Sequence, residues 1–121
     1  MKLGPLTISL TVADIGVSLA FYRSLGFEIL DGVQDEGWLI LRNGAATIGI
    51  FQGKFDRNII TFNPRDVRSI QAELLAQGVE LIEPADPDTT GAAHITMIDP
   101  DGNPILMDQF DEEYMDRHGL G

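Results

Sequence analysis

Residues 10–27 read LTVADIGVSLAFYRSLGF, and the change of period inside this stretch decides how the fold begins. From Leu6 to Val12 the order Leu-Thr-Ile-Ser-Leu-Thr-Val alternates with a period of two and is rich in β-branched residues, which predicts a strand with one apolar and one small polar face. Asp14 is a suitable helix N-cap, and after it Val17, Phe21 and Leu25 recur at helical spacing, with Ala20 and Ser24 beside them, until Gly26 stops the helix. Phe27 to Val33, Trp38 to Arg42 and Ala45 to Phe51 follow as three strands, divided by the turn signals Asp35-Glu36-Gly37 and Asn43-Gly44. The first half therefore reads βαβββ.

The same grammar returns after the Gly53 to Asp56 linker. Ile59 to Asn63 predicts a strand, Asp66 caps a helix carrying Val67, Ile70, Leu74 and Leu75, and Gly78 closes it. Val79 to Ile82, Ala93 to Ile98 and Ile105 to Phe110 supply three more strands, the last two joined by the turn Asp99-Pro100-Asp101-Gly102-Asn103. The expected architecture is α+β: a single domain over 1–121 made of two βαβββ modules, about 5–52 and 58–110, with cupped mixed sheets and helices outside. Such a pair encloses a cleft, alone or with a second chain. Residues 111–121 form an acidic tail in which Asp111 to Arg117 predicts a short helix.

Composition narrows the function. At 121 residues with 44% hydrophobic content the chain can bury one core, and no apolar run approaches the ~20 residues needed to cross a bilayer. No membrane partner is expected, and the start MKLGPLTISL lacks a leader, so a cytoplasmic location is expected. The absence of cysteine removes disulfides, thiolate metal sites and thiol nucleophiles. A net charge of −11 repels phosphate backbones, so nucleic acid is not an expected partner; solubility is the plainer role of that charge.

Two stretches carry a family resemblance: LTVADIGVSLAFYRSLGF at 10–27 and DPDGNPILMDQF at 99–110. They resemble the vicinal oxygen chelate superfamily, which includes glyoxalase I, bleomycin resistance proteins and extradiol dioxygenases. Phe21, Tyr22 and the Asp99 to Asn103 turn belong to its scaffold, as packing and turn residues. Enzymes of that family hold a divalent metal with four His, Gln or Glu side chains. The resemblance places those positions at Thr7, Gly49, Ile59 (Asn58 if the register slips by one) and Leu106, which offer at most a hydroxyl and an amide. A divalent ion stripped of water needs several such donors, so no metal and no cofactor is expected. His94 and His118 are the only histidines, and a lone strand histidine is more often structural than ligating.

Strand parity gathers Thr7, Ser9 and Thr11, then Thr47, Gly49 and Phe51, then Ile59, Thr61 and Asn63, then Leu106, Asp108 and Phe110 on the cupped face, with Trp38 and Ile40 joining from the neighbouring strand. Aromatic walls with scattered hydroxyls, an amide and one carboxylate suit a small organic molecule, aromatic or cationic. Trp38, Phe51 and Phe110 fit core or dimer packing equally well, and Asp108 fits a solvated strand end beside Asp111, Glu112, Glu113 and Asp116. Two functions stand: a homodimeric, bleomycin-resistance-like binding protein with no need of catalysis, and a metal-free isomerase, epimerase or lyase with Asp108 as general base and His94 assisting. A metal-dependent glyoxalase-type lyase or dioxygenase is disfavoured by the four ligand positions.

Overall fold

A computed structural model describes residues 1–117; His118 and the rest of the expected tail lie outside the described residues. The elements run β1 (Leu6–Thr11), α1 (Ile15–Ser24), β2 (Glu28–Val33), β3 (Trp38–Asn43), β4 (Ala46–Phe51), β5 (Ile59–Phe62), α2 (Val67–Ala76), β6 (Ala93–Ile98), β7 (Pro104–Gln109) and α3 (Glu112–Arg117), with one 3-10 turn at Gln34–Glu36. The class is α+β, as the sequence predicts. No helix among the described residues is long and apolar enough to cross a membrane.

The chain divides into two compact units, Thr7–Ile59 and a second formed by Met1–Leu6 with the chain from Ile60 onward. In the first, strands lie in the order β2-β3-β4-β1, with β4 parallel to β1 and antiparallel to β3. Asp14 caps α1 by accepting from the Val17 N–H (3.1 Å), and Gln52 Oε1 accepts from the Ile15 N–H (2.9 Å). Two of the orphan donors at this helix start are thus satisfied by side chains. α1 ends in a Schellman turn, Phe27 N–H to Tyr22 O (3.1 Å), over Gly26 at φ 93°. Its inner side sets Ile15 and Leu19 on Leu39, Leu41 and Ile50. Val17, Phe21 and Leu25 instead face outward, at 67%, 59% and 54% exposure, which corrects the expectation that Phe21 is a packing residue. With ten residues in α1, the apolar i, i+4, i+8 stripe and the buried Ile15–Leu19 stripe lie on different sides of the cylinder.

In the second unit the order is β5-β7-β6, and Val67 and Ile70 of α2 pack on Ile95, Met97 and Met107. The devices repeat: Asp66 accepts from the Ser69 N–H (3.1 Å), Gln109 Oε1 from the Val67 N–H (2.9 Å), and Val79 N–H closes the turn on Leu74 O (3.0 Å). One expectation fails. Val79 to Ile82 forms no strand, and this module is βαββ with a lone bridge between Glu83 and Thr96. Pro84 has no N–H to extend a ladder. The chain is instead fastened to α2: Gln71 donates to Ala85 O and accepts from Ala85 N (both 2.8 Å), and Arg68 donates to Asp86 O, Gly91 O and Thr89 Oγ1. The Asp99 turn forms as expected; hydrogen bonds from the side chain and backbone of Asn103 hold the Asp99 carboxyl below its ordinary pKa.

Candidate functional site on the helix-free strand faces

In each unit one strand face packs under α1 or α2 and the other faces away from that helix. Register assigns the residues. In the first unit Ser9 pairs with Gly49, Gly49 with Ile40, Thr11 with Phe51 and Phe51 with Trp38, so these share the side opposite Leu39, Leu41 and Ile50. Thr7 and Thr47 follow by alternation. Thr7 and Ser9 are buried, and Trp38, Ile40, Thr47 and Phe51 are half-buried. Thr47 Oγ1 accepts from Arg42 Nε (3.3 Å). A side chain added at Gly49 would begin 2.5 Å from Phe51 Cε2, so the Phe51 ring lies across the place where a ligating side chain would stand.

Phe55 was not legible as part of this surface. It comes from the linker, its ring 5.1 Å from that of Phe51, and Thr11 fastens the linker by donating from Oγ1 to Phe55 O (2.8 Å) and from its N–H to Asn58 Oδ1 (3.0 Å). An aromatic residue inside a Gly-, Lys- and Asp-rich linker was the available signal.

In the second unit Thr61 pairs with Leu106, Leu106 with Thr96 and Asp108 with His94, again on the side away from α2; Ile59, the last residue of the first unit, shares the parity of Thr61 along β5. Asn63 is 4% exposed and donates from Nδ2 to Asp108 O (2.9 Å), so it holds the strand in place. Phe110 lies one residue past β7, its ring 4.6 Å from Tyr114 of α3. Asp108 is half-buried; desolvation raises its pKa above the ordinary 3.8, opposed by the nearby charge of His94. His94 Nε2 stands 3.6 Å from Glu83 Oε2, and Thr96 Oγ1 donates to Glu83 Oε1 (3.3 Å). Glu83 escaped the sequence reading because it follows the misassigned strand. The structure therefore brings together Asp108, His94 and Glu83.

The residues do not fit a family metal. Thr7, Gly49, Ile59 and Leu106 present one buried hydroxyl, no side chain and two hydrocarbons, and Asn58 spends its oxygen on Thr11. Among the described residues no group of three His, Cys, Asp or Glu side chains is placed to hold an ion.

Solved structures of the same fold include a glyoxalase/bleomycin resistance protein/dioxygenase superfamily member from Vibrio splendidus 12B01, at 18% identity over 88% of this chain and 97% of that one, with a TM-score of 0.67. A methylmalonyl-CoA epimerase from Streptomyces coelicolor, in complex with 2-nitronate-propionyl-CoA, matches at 18% identity over 90% and 96% of the two chains (TM-score 0.65). An extradiol ring-cleaving dioxygenase from B. fuscum matches at 22% over 90% of this chain and 32% of that one (TM-score 0.61). No curated protein matches the sequence significantly. The family model described as Glyoxalase/Bleomycin resistance protein/Dioxygenase superfamily matches residues 4–107, and the chain belongs to that superfamily.

Proposed function

We propose that this protein binds a small organic molecule on its helix-free strand faces without a metal ion, and that Asp108 is the recognition carboxylate. The observation that carries this reading is Asp108 itself: a half-buried acid whose ionised form is under-solvated, paired with His94 on the strand face away from α2. A ligand cation or hydroxyl supplies what water does not. On its own face away from α1 the first unit presents the part-buried Trp38, Ile40 and Phe51, apolar surface on which an organic body can lie.

A second reading is favoured by one arrangement. His94 lies directly across from Asp108 and beside Glu83, so an acid with a raised pKa and an imidazole share one strand face, the pairing that proton transfer at a carbon or oxygen needs. In that metal-free isomerase, epimerase or lyase, Asp108 takes the proton and His94 returns it. An epimerase on this fold is compatible with it at the level of fold alone.

The protein acts as a homodimer in either case. Support comes from α1, whose Val17, Phe21 and Leu25 present an apolar ridge to solvent.

Titration with a panel of amines, aromatic acids and acyl thioesters, followed by calorimetry as well as through the single tryptophan Trp38, tests both readings. Saturable quenching without conversion supports binding alone. Conversion abolished by Asp108→Asn establishes the enzyme, and no saturable response to any compound removes both.

A further inference from the structure

Two carboxylates of the second unit share one imidazole. His94 of β6 stands directly across from Asp108 of β7, and its Nε2 lies 3.6 Å from Glu83 Oε2. Glu83 is held from two sides, by its backbone bridge to Thr96 and by Thr96 Oγ1, which donates to Glu83 Oε1 (3.3 Å). Asp108 is fixed through its backbone, where its carbonyl accepts from Asn63 Nδ2 (2.9 Å). Among the described residues no hydrogen bond reaches the Asp108 carboxylate, and neither of its oxygens is a buried orphan, so the group keeps contact with solvent.

Charge counting gives the sign of what this face lacks. Ionised Glu83 and Asp108 bring two negative charges, and His94 brings at most one positive charge. One carboxylate is left over when the imidazole is protonated, and two when it is neutral. Among the described residues Glu83 and Asp108 are the charged groups that face His94, and His94 is the one cationic group set against Asp108. The ladder does not need this charge. The matching positions of the first unit, two residues beyond the parallel pairs Ser9–Gly49 and Thr61–Leu106, hold Trp38 and Phe51, paired across β3 and β4 as His94 and Asp108 are across β6 and β7.

We propose that Asp108 is the seat of a protonated amine, and that His94 sets the affinity for it by competing for the same carboxylate. The proposal rests on the reading that Asp108 recognises a small molecule, and it names the class and its control. An ammonium group brings a positive charge and N–H donors together, the two things the carboxylate is short of. A metal ion suits the face less well, since among the described residues no three His, Cys, Asp or Glu side chains are placed to hold one. Glu83 makes the exchange possible, because the imidazole keeps a counter-charge when the amine takes Asp108. Opposed side chains on paired strands have Cβ atoms ~5 Å apart, so a protonated His94 is near enough to repel the bound ammonium. Affinity therefore falls as pH drops through the range in which imidazole side chains take up a proton.

The test titrates the full chain by calorimetry with benzylamine, which stays protonated throughout, and with benzyl alcohol, at pH 8 and pH 5.5. At pH 8 the amine is expected to bind about tenfold tighter than the alcohol, and Asp108→Asn to remove that preference. Should this variant fold poorly, salt serves instead: raising ionic strength weakens the amine and leaves the alcohol unchanged. Between pH 8 and pH 5.5 the amine is expected to lose about threefold in affinity beyond the loss seen in His94→Gln, where only protonation of Asp108 remains. A pH response identical in His94→Gln overturns the competition. Equal affinities for the two probes, insensitive to Asp108→Asn and to salt, overturn the amine assignment and leave small-molecule binding standing. No heat from either probe at ~10 mM, above the millimolar range of weak ligands, overturns both.

Discussion

Aligning Asp14 with Asp66 matches the helix devices of the two modules one for one: the aspartate cap, the glutamine at or just past the end of the last strand on the first N–H, and the Schellman glycine. The same alignment sets Leu19 against Gln71, and Val17, Phe21 and Leu25 against Ser69, Glu73 and Gln77. The inner position is hydrocarbon where a ladder-paired strand follows the helix, and an amide where an unpaired segment must be held. The outer positions are apolar on α1 and polar on α2. The difference teaches that the frame depends on caps and turns, while each inner helix face is written for what lies against it.

The sharpest way to break this comparison is to exchange the inner residues. Gln71→Leu leaves the Ala85 N–H and C=O without partners and is expected to cost about 2–4 kcal/mol in urea unfolding. Leu19→Gln, which buries an amide among Leu39, Leu41 and Ile50, is expected to cost a similar amount. If either exchange is neutral, the two positions are not specialised. Exchanging the outer residues, Val17→Ser with Phe21→Glu and Leu25→Gln, gives α1 the surface of α2. The expected result is a monomer by light scattering at concentrations where the parent is dimeric, with the melting temperature of the monomer little changed.

How much of this was legible depended on range. The caps, both Schellman glycines and the Asn43-Gly44 hairpin could be read because their chemistry is local, although the turn residues prove to be Gly44 and Ala45 between the paired Asn43 and Ala46. The helix-free faces could be read because parity is a strict period of two. The break in β2 could not, since the ladder shifts register between Ile29, opposite Leu41, and Asp31, opposite Ile40, and one extra residue inverts parity. Val79 to Ile82 misled because an apolar run does not say whether its N–H and C=O groups find a strand; Pro84 and the distant Gln71 decide that. Glu83 beside His94 and Phe55 beside Phe51 are placed by contacts no sequence period encodes.

Two smaller effects sharpen the comparison. Asp14→Ala and Asp66→Ala are expected to cost about 1 kcal/mol each, equally, in thermal unfolding; unequal losses would show that the two helix starts are not equivalent. Asp108 gives the smallest. Its raised folded pKa means the protonated acid is the favoured form, so its contribution is present below the unfolded pKa and is lost as pH rises through the folded one. Asp108→Asn lacks that loss, so its melting temperature should gain on the parent as pH rises from 3 to 7, a small gain because solvent screens a partly exposed group.

Side chains of α2, and not a ladder, fasten the chain from Pro84 to Gly91. Breaking a ladder strand exposes backbone groups on two strands at once, whereas detaching this strap requires only that Gln71 and Arg68 let go. Its amides should therefore exchange with deuterium through a local opening well below the free energy of global unfolding, and do so as one block. Glu83, which borders the block, stays tied to Thr96 by its own bridge, so the strap can open while the carboxylate beside His94 keeps its place.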